Sequence, residues 1–327
     1  MGALLYPALG EAAVPGNTGA LTVLADGLQN PTTVAVRDGV AFVPEGQLAR
    51  VGVIGGTFDV RTISLEGQGI LAPRVILPGN DFFPEGIALD PATNDLFVGS
   101  IFNGTIVRVP SNSVRQVQFS GPVGGRLAAA LTRGSFGLRV DDARGLLWAC
   151  DSNLGASPPR PGGTVTGIDL ASAAVVVEHE LPDNSICNDI ILDAAGNLLV
   201  TESAVGQVFR IDSASALTPN SAQVFLATPE LAPPAAGQFG ANGLAIAGGI
   251  LFVSNTFQGT LVRFDLGAAD PASTVSVVSI SEGNAASVVL SGPDGVLPLS
   301  DTQLLVVENG FAGAGLQRLT RIDLDAH

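Results

Sequence analysis

Six positions carry the chemistry that this sequence could do: Thr33, Glu85, Phe136, Asn188, Asn242 and Asp294. They recur at intervals of 51 to 54 residues, and four of them are oxygen donors, one glutamate, two asparagines and one aspartate. Hard cations such as calcium take carboxylate and amide oxygens, about six to eight of them, and two carboxylates balance one divalent ion. No cysteine or histidine stands at any of the six, which speaks against zinc or copper. The only histidines are His179 and His327. Asn-Gly, Asn-Asp and Asp-Gly are also ordinary turn formers, so one such position alone could merely cap a strand. Four donors at the same register of four repeats point instead to polar groups converging in a pocket.

The elements that must position these residues are repeats. Residues 96–109 ("LFVGSIFNGTIVRV"), 198–211 ("LLVTESAVGQVFRI") and 251–264 ("LFVSNTFQGTLVRF") align almost letter for letter. Each is an apolar strand, a polar loop with glycine, then an alternating strand, which is a hairpin signature. Each follows a short strand: "EGIALD", "NDIILD" or "NGLAIA". More decayed copies occupy 32–50, 136–150 and 294–307, making six units. A period near 50 with several strands per unit and almost no helical periodicity predicts an all-β, six-bladed β-propeller. The last unit ends on "LQRLTRIDL" (316–324) with nothing left for an outer strand, and "ALTVLAD" (20–26) can supply it. The N-terminal strand is therefore expected to pair with the C-terminal blade, which removes exposed edges. Residues 19–327 are read as this single domain and 1–18 as an N-terminal tail. The six positions head the inner strands, all on one face of the central tunnel.

The segments "PEGIALD", "NDIILD", "ANGLAI" and "GPDGV" resemble the calcium-binding motifs of the gluconolactonase/regucalcin family, whose relatives include the paraoxonases and diisopropyl fluorophosphatase. That family's pattern is a glutamate, a skipped blade, then Asn, Asn and Asp. Here it is met by Glu85, a skip at Phe136, then Asn188, Asn242 and Asp294. The resemblance runs over residues 20–325 and implies one calcium in the tunnel held by those four residues. Asp189 is then a carboxylate behind the ligands or in the pocket. The paraoxonases' histidine pair has no counterpart, because one member falls at Phe136. Strictosidine synthase shares the propeller without the calcium set and uses a glutamate of the last blade, to which Glu308 is compared.

The loops after the second strands overhang the same face. They contribute Glu45, Ser100, Phe102, Asp151, Glu202, Asn255, Phe257 and Glu308. Of these, Phe102 and Phe257 are expected as apolar pocket walls, and Glu202, Asn255 and Glu308 as polar ones. Phe136 is read as the open blade position, where water or substrate could reach the ion. Cys150 and Cys187 fall on this face in neighbouring blades. Buried thiols are expected, with a disulfide the alternative in an exported protein. His179, within "VEHEL", is expected on the surface.

Net charge is −15 and all 15 basic residues are arginine. Such a field opposes nucleic acid, and no apolar run is long enough to span a membrane. A small-molecule substrate is the expected partner. The compartment is cytoplasmic if Met1 is native and extracytoplasmic if a leader was removed. The function expected is a calcium-dependent hydrolase of a neutral lactone, ester or related electrophile. In it the ion polarises the carbonyl and Asp294 serves as base or nucleophile. The alternatives are a metal-free condensing or epoxide-opening enzyme, or a non-catalytic propeller pinned by calcium.

Overall fold

The computed structural model describes residues 14–48, 57–67, 69–111, 117–120, 134–153 and 161–326. Residues 1–13 of the expected tail, and His327, lie outside these. Six sheets follow one another along the chain, five of four strands and one of five. They are the blades of a six-bladed β-propeller, as the repeats predict. The inner strands are Ala35–Arg37, Pro84–Leu89, Gly134–Asp141, Cys187–Leu192, Ala241–Ala247 and Pro293–Ser300.

The apolar pattern of each strand follows from its distance from the axis. The second strands Leu96–Ser100, Leu198–Glu202 and Ile250–Asn255 are buried along their whole length. A blade packs against a neighbour on each face, so these strands read as unbroken apolar runs. The third strands are buried except at a few positions, and Arg108, Arg210 and Arg263 are half-buried in them. The outer strand of blade 3, Val175–Glu180, alternates exposed and buried residues, and His179 falls on the buried side. This corrects the surface position expected for it. Its Nε2 meets the Ala216 carbonyl at 2.9 Å and its Nδ1 accepts from the Ser221 amide. Burial holds its pKa below the usual imidazole value.

Five inner strands carry one extra residue at the same place. Register slips occur between Pro84 and Ile87, Ser135 and Leu138, Cys187 and Ile190, Ala241 and Leu244, and Pro293 and Val296. Such bulges bend a strand and re-aim its side chains. The bulged pairs are Glu85-Gly86, Phe136-Gly137, Asn188-Asp189, Asn242-Gly243 and Asp294-Gly295. The second member is glycine in four of them because the next inner strand is too close for a side chain. A Cβ at Gly86 would stand 2.0 Å from the Phe136 carbonyl oxygen, and one at Gly243 2.2 Å from that of Asp294.

The ring closes as expected, with an addition. Pro15–Ala25 runs antiparallel to Arg318–Ala326, pairing Leu21 with Ile322, and so completes blade 6. Ser279–Ser281 then pairs in parallel on its far side. The outer strand of blade 5 is only Ser276–Val277, and the chain steps from it onto the neighbouring blade. A second correction concerns the cysteines: Cys150 and Cys187 are joined in a disulfide. They lie 37 residues apart in sequence, but the end of one second strand abuts the head of the next inner strand. Among the described residues no helix is long and apolar enough to cross a membrane.

Leu21 is 6% exposed and packs with Ile280, Val306 and Ile322, while Val23 on the same strand is 39% exposed. Leu21→Ala should lower unfolding stability by about 2–5 kcal/mol and Val23→Ala by no more than about 0.5 kcal/mol. Denaturant titration of the two variants checks that the closing strand is held by its buried face.

Candidate metal centre

The bulges bring the strand heads to one point. A cavity of about 10 Å³ is lined by Thr33, Glu85, Gly137, Asn188, Asp189, Asn242, Asp294 and Gly295. That is room for a single ion or water. Glu85, Asn188, Asn242 and Asp294, singled out by register alone, therefore share one small space. Asp189 joins them because the bulge lets consecutive residues reach it.

Three hydroxyl or amide groups missed by the sequence reading orient this set. Asn188 Nδ2 donates to Ser203 Oγ at 2.9 Å, and that hydroxyl donates to the Ala241 carbonyl at 2.6 Å. Its only proton being spent, Ser203 can only accept from Asn188, which turns the amide's oxygen away from it. Asn242 repeats the arrangement: Nδ2 donates to Thr256 Oγ1 at 2.8 Å, and Thr256 donates to the Pro293 carbonyl at 3.1 Å. In blade 6, Asn309 Nδ2 donates to Asp294 Oδ2 at 2.8 Å, while its own Oδ1 accepts from the Phe311 amide. Ser203, Thr256 and Asn309 each follow the last residue of a second strand. That shared register was the available signal.

The electrostatics of the cavity are those of uncompensated negative charge. Burial raises Glu85 well above the usual carboxylate range, and Asp294 and Asp189 raise it further. Glu85 Oε2 is buried without a hydrogen-bond partner. Burial pushes Asp294 up to about 7 against the lowering effect of its bond from Asn309. Burial likewise lifts Asp189 to about 6, although the Leu244 and Ile190 amides donate to it and Arg139 lies nearby. Buried carboxylates so disposed take up either protons or a cation. Two carboxylates and two amides whose nitrogens are engaged elsewhere are a donor set for a hard cation. Among the described residues no three His, Cys, Asp or Glu side chains are disposed to share an ion, so the amides are indispensable to such a site.

Other residues expected around the pocket have different work. Glu202 accepts from the backbone amides of Ile186, Ala204 and Val205 at 2.7–3.0 Å. Glu308 accepts from the Ser291 amide and from Arg318 Nε, each at 2.7 Å. Asn255 donates to the Glu230 and Ala232 carbonyls. Glu45 accepts from the Gln29 amide and from Arg61, Ser100 donates to the Phe82 carbonyl, and Asp151 accepts from Thr166. Most of these strand ends tie down the loop that leads into their own blade, and none lines the carboxylate cavity. Phe136 is 3% exposed and belongs to the core between blades. Gly137 takes the place at the cavity, so Phe136 is a packing residue and not an open coordination position. Phe102 and Phe257 are half-buried, edge-on to Phe83 and Phe239 with centroids 4.9 and 6.1 Å apart.

No family model and no curated protein matches the sequence. Solved structures match in fold. Regucalcin from Agrobacterium tumefaciens, described as a calcium-binding protein, is 12% identical with a TM-score of 0.64, over 95% of this chain and 96% of that one. A structural-genomics target described as a candidate gluconolactonase is 13% identical with a TM-score of 0.63, over 97% and 95%. Virginiamycin B lyase from Staphylococcus aureus with quinupristin is 13% identical with a TM-score of 0.59, over 93% and 99%. The resemblance read from the sequence thus reappears among fold neighbours. At these identities what is shared is the fold.

The raised carboxylates fix the sign of a pH effect. Between the ordinary aspartate value of 3.8 and the folded values of about 6 for Asp189 and about 7 for Asp294, the folded chain holds more protons than the unfolded one. Their contribution to stability is therefore full at low pH and is lost as pH rises through the folded values. In the presence of a chelator, the melting temperature should fall between about pH 4 and 7 from this cause. Asp294→Asn, which removes one of the titrating groups, should flatten that fall in a thermal melt series.

Proposed function

We propose that the chain is a calcium-dependent hydrolase of a neutral lactone or ester, with its centre at the carboxylate cavity. The observation that carries this reading is the buried, unpartnered Oε2 of Glu85 beside Asp294 and two amides whose oxygens are turned away from their hydrogen-bonded neighbours. Glu85, Asn188, Asn242 and Asp294 would hold the ion. When bound, a divalent cation polarises a carbonyl oxygen and stabilises the negative charge that develops on it.

The chain's own groups account for the remaining requirements. Asn309 donates to Oδ2 of Asp294, which fixes the carboxylate plane, and the carboxylate so held would take a proton from an attacking water or attack directly. Asp189 adds a third negative charge next to the ligands, and its oxygens are held by backbone amides. Ser203 and Thr256 keep the amide oxygens pointed without reorganisation, which is how supporting hydrogen bonds raise the affinity of a metal site. Phe102 and Phe257 supply apolar surface for a substrate. A net charge of −15 disfavours anionic substrates, which supports a neutral ester over a phosphate or sugar acid.

Asp294→Ala should lose the ion or most of its affinity, because it removes one of the two carboxylate ligands. Ser203→Ala, which touches no ion, should weaken calcium about 10–100-fold. Titration calorimetry reads both, and full calcium affinity in Asp294→Ala would sink the ligand assignment.

Turnover of lactones and aryl esters should require calcium and disappear on chelation. Asp294→Asn should keep part of the metal binding while losing about 10²–10⁴-fold in kcat. Wild-type turnover in that variant with calcium bound would reduce Asp294 to a ligand. Turnover that survives confirmed calcium loss would bring forward a metal-free enzyme on the same scaffold.

A further inference from the structure

Away from the carboxylate cavity the tunnel widens. A cavity of about 480 Å³ is walled by the distal halves of the inner strands of blades 1, 2, 3 and 6, a size usual for small-molecule sites. Every side chain on its wall is apolar except one, Arg139. A middle cavity of about 100 Å³ shares Arg139 with the wide one and Asp189 with the carboxylate cavity. The tunnel therefore grades from three acids, through one acid and one base, to a hydrocarbon wall with a single positive charge.

Arg139 faces the tunnel. It takes part in none of the ion pairs among the described residues. It is open to solvent inside the tunnel yet surrounded by protein, which lowers its pKa from the usual guanidinium value against the raising effect of Asp189. Asp189 is already engaged with the Ile190 and Leu244 amides. A guanidinium so placed has five donors in a rigid fork and no carboxylate to fill it.

We propose that the wide end of the tunnel is a second binding site, separate from the carboxylate cavity, that takes a small amphiphilic carboxylate. Its headgroup pairs with Arg139 and its hydrocarbon body lies on Val36, Leu89, Val140 and Leu299. The two features select jointly. The fork of Arg139 matches a carboxylate bidentately, and the apolar wall is dried by a hydrocarbon and by nothing polar. A cation would leave Arg139 unmet, and a dianion would meet the carboxylate of Asp189. The overall negative field of the protein opposes any anion at long range, but salt screens it beyond about 8 Å, so the local guanidinium decides.

Octanoate serves as the probe, with octanol and octylamine as its neutral and cationic counterparts, in calorimetry on the whole chain. Octanoate should bind saturably, at least about tenfold more tightly than either counterpart, with or without chelator. Arg139→Met should abolish that preference, and Pro298→Glu, an exposed wall position, should abolish octanoate binding by placing a like charge on the wall. Thermal melts should show that both variants remain folded, because neither side chain is fully buried. Equal binding of octanol and octanoate, unchanged octanoate affinity in Arg139→Met, or no binding would overturn the site. Octanoate binding that appears only with calcium would place the ligand at the carboxylate cavity and would also overturn it, without touching the hydrolase reading.

Discussion

The structure depends on how closely six strands can approach a common axis. At the heads of the inner strands that approach leaves no space for a Cβ, so glycine follows the head residue in four of the five bulged pairs. The bulge and the glycine are two sides of one constraint. An extra residue bends the strand inward, and the absence of a side chain lets the next blade close against it. What is left at the centre is a space of about 10 Å³, too small for anything but an ion or a water, and only oxygen-bearing side chains reach it.

Around that space the blades divide their labour by position. The first residue of each bulge faces the cavity, or the core in the case of Phe136. In blades 4, 5 and 6 the last residue of the second strand ties down a loop, as Glu202, Asn255 and Glu308 show. The residue after it orients the cavity, as Ser203, Thr256 and Asn309 do, while Ser152, itself the last residue of Leu146–Ser152, bonds the next blade at the Cys187 carbonyl. Each of these steps is a single hydrogen bond of modest net value, but they form a chain in which one blade's side chain holds another blade's backbone. Thr32 donating to the Glu85 carbonyl and Thr201 to that of Asn242 extend it between further blades. The cavity is thereby held by the whole ring and not by any one sheet.

How much of this could be read in the sequence follows from the range of the forces involved. The repeats and the shared register of Glu85, Asn188, Asn242 and Asp294 are local patterns repeated six times, so composition and spacing suffice to find them. The bulge is also local, yet it is invisible as a pattern because one extra residue leaves the apolar alternation intact on both sides. That is why Phe136 was expected at the pocket when Gly137 is the residue there. Glu202, Asn255 and Glu308 are expected over the pocket because the second strands return to the face where the inner strands begin, whereas here they satisfy buried loop groups, a demand set by tertiary structure. The disulfide and the burial of His179 likewise rest on which blade lies next to which. Arg139 reads as one more charge on a strand until the tunnel around it is known.

The closing strand has a consequence for how the molecule is made. Leu21 pairs with Ile322, and Thr18 with Ser279, so this strand finds its partners only among strands synthesised long after it. Blades built from neighbouring hairpins can form as the chain emerges, but the sixth cannot, and the ring stays open until Arg318–Ala326 has been made. Contacts of such long sequence separation are the slowest to form. Until then an apolar strand edge stands unpaired, which is the condition under which a nascent chain is exposed to aggregation and to chaperone capture.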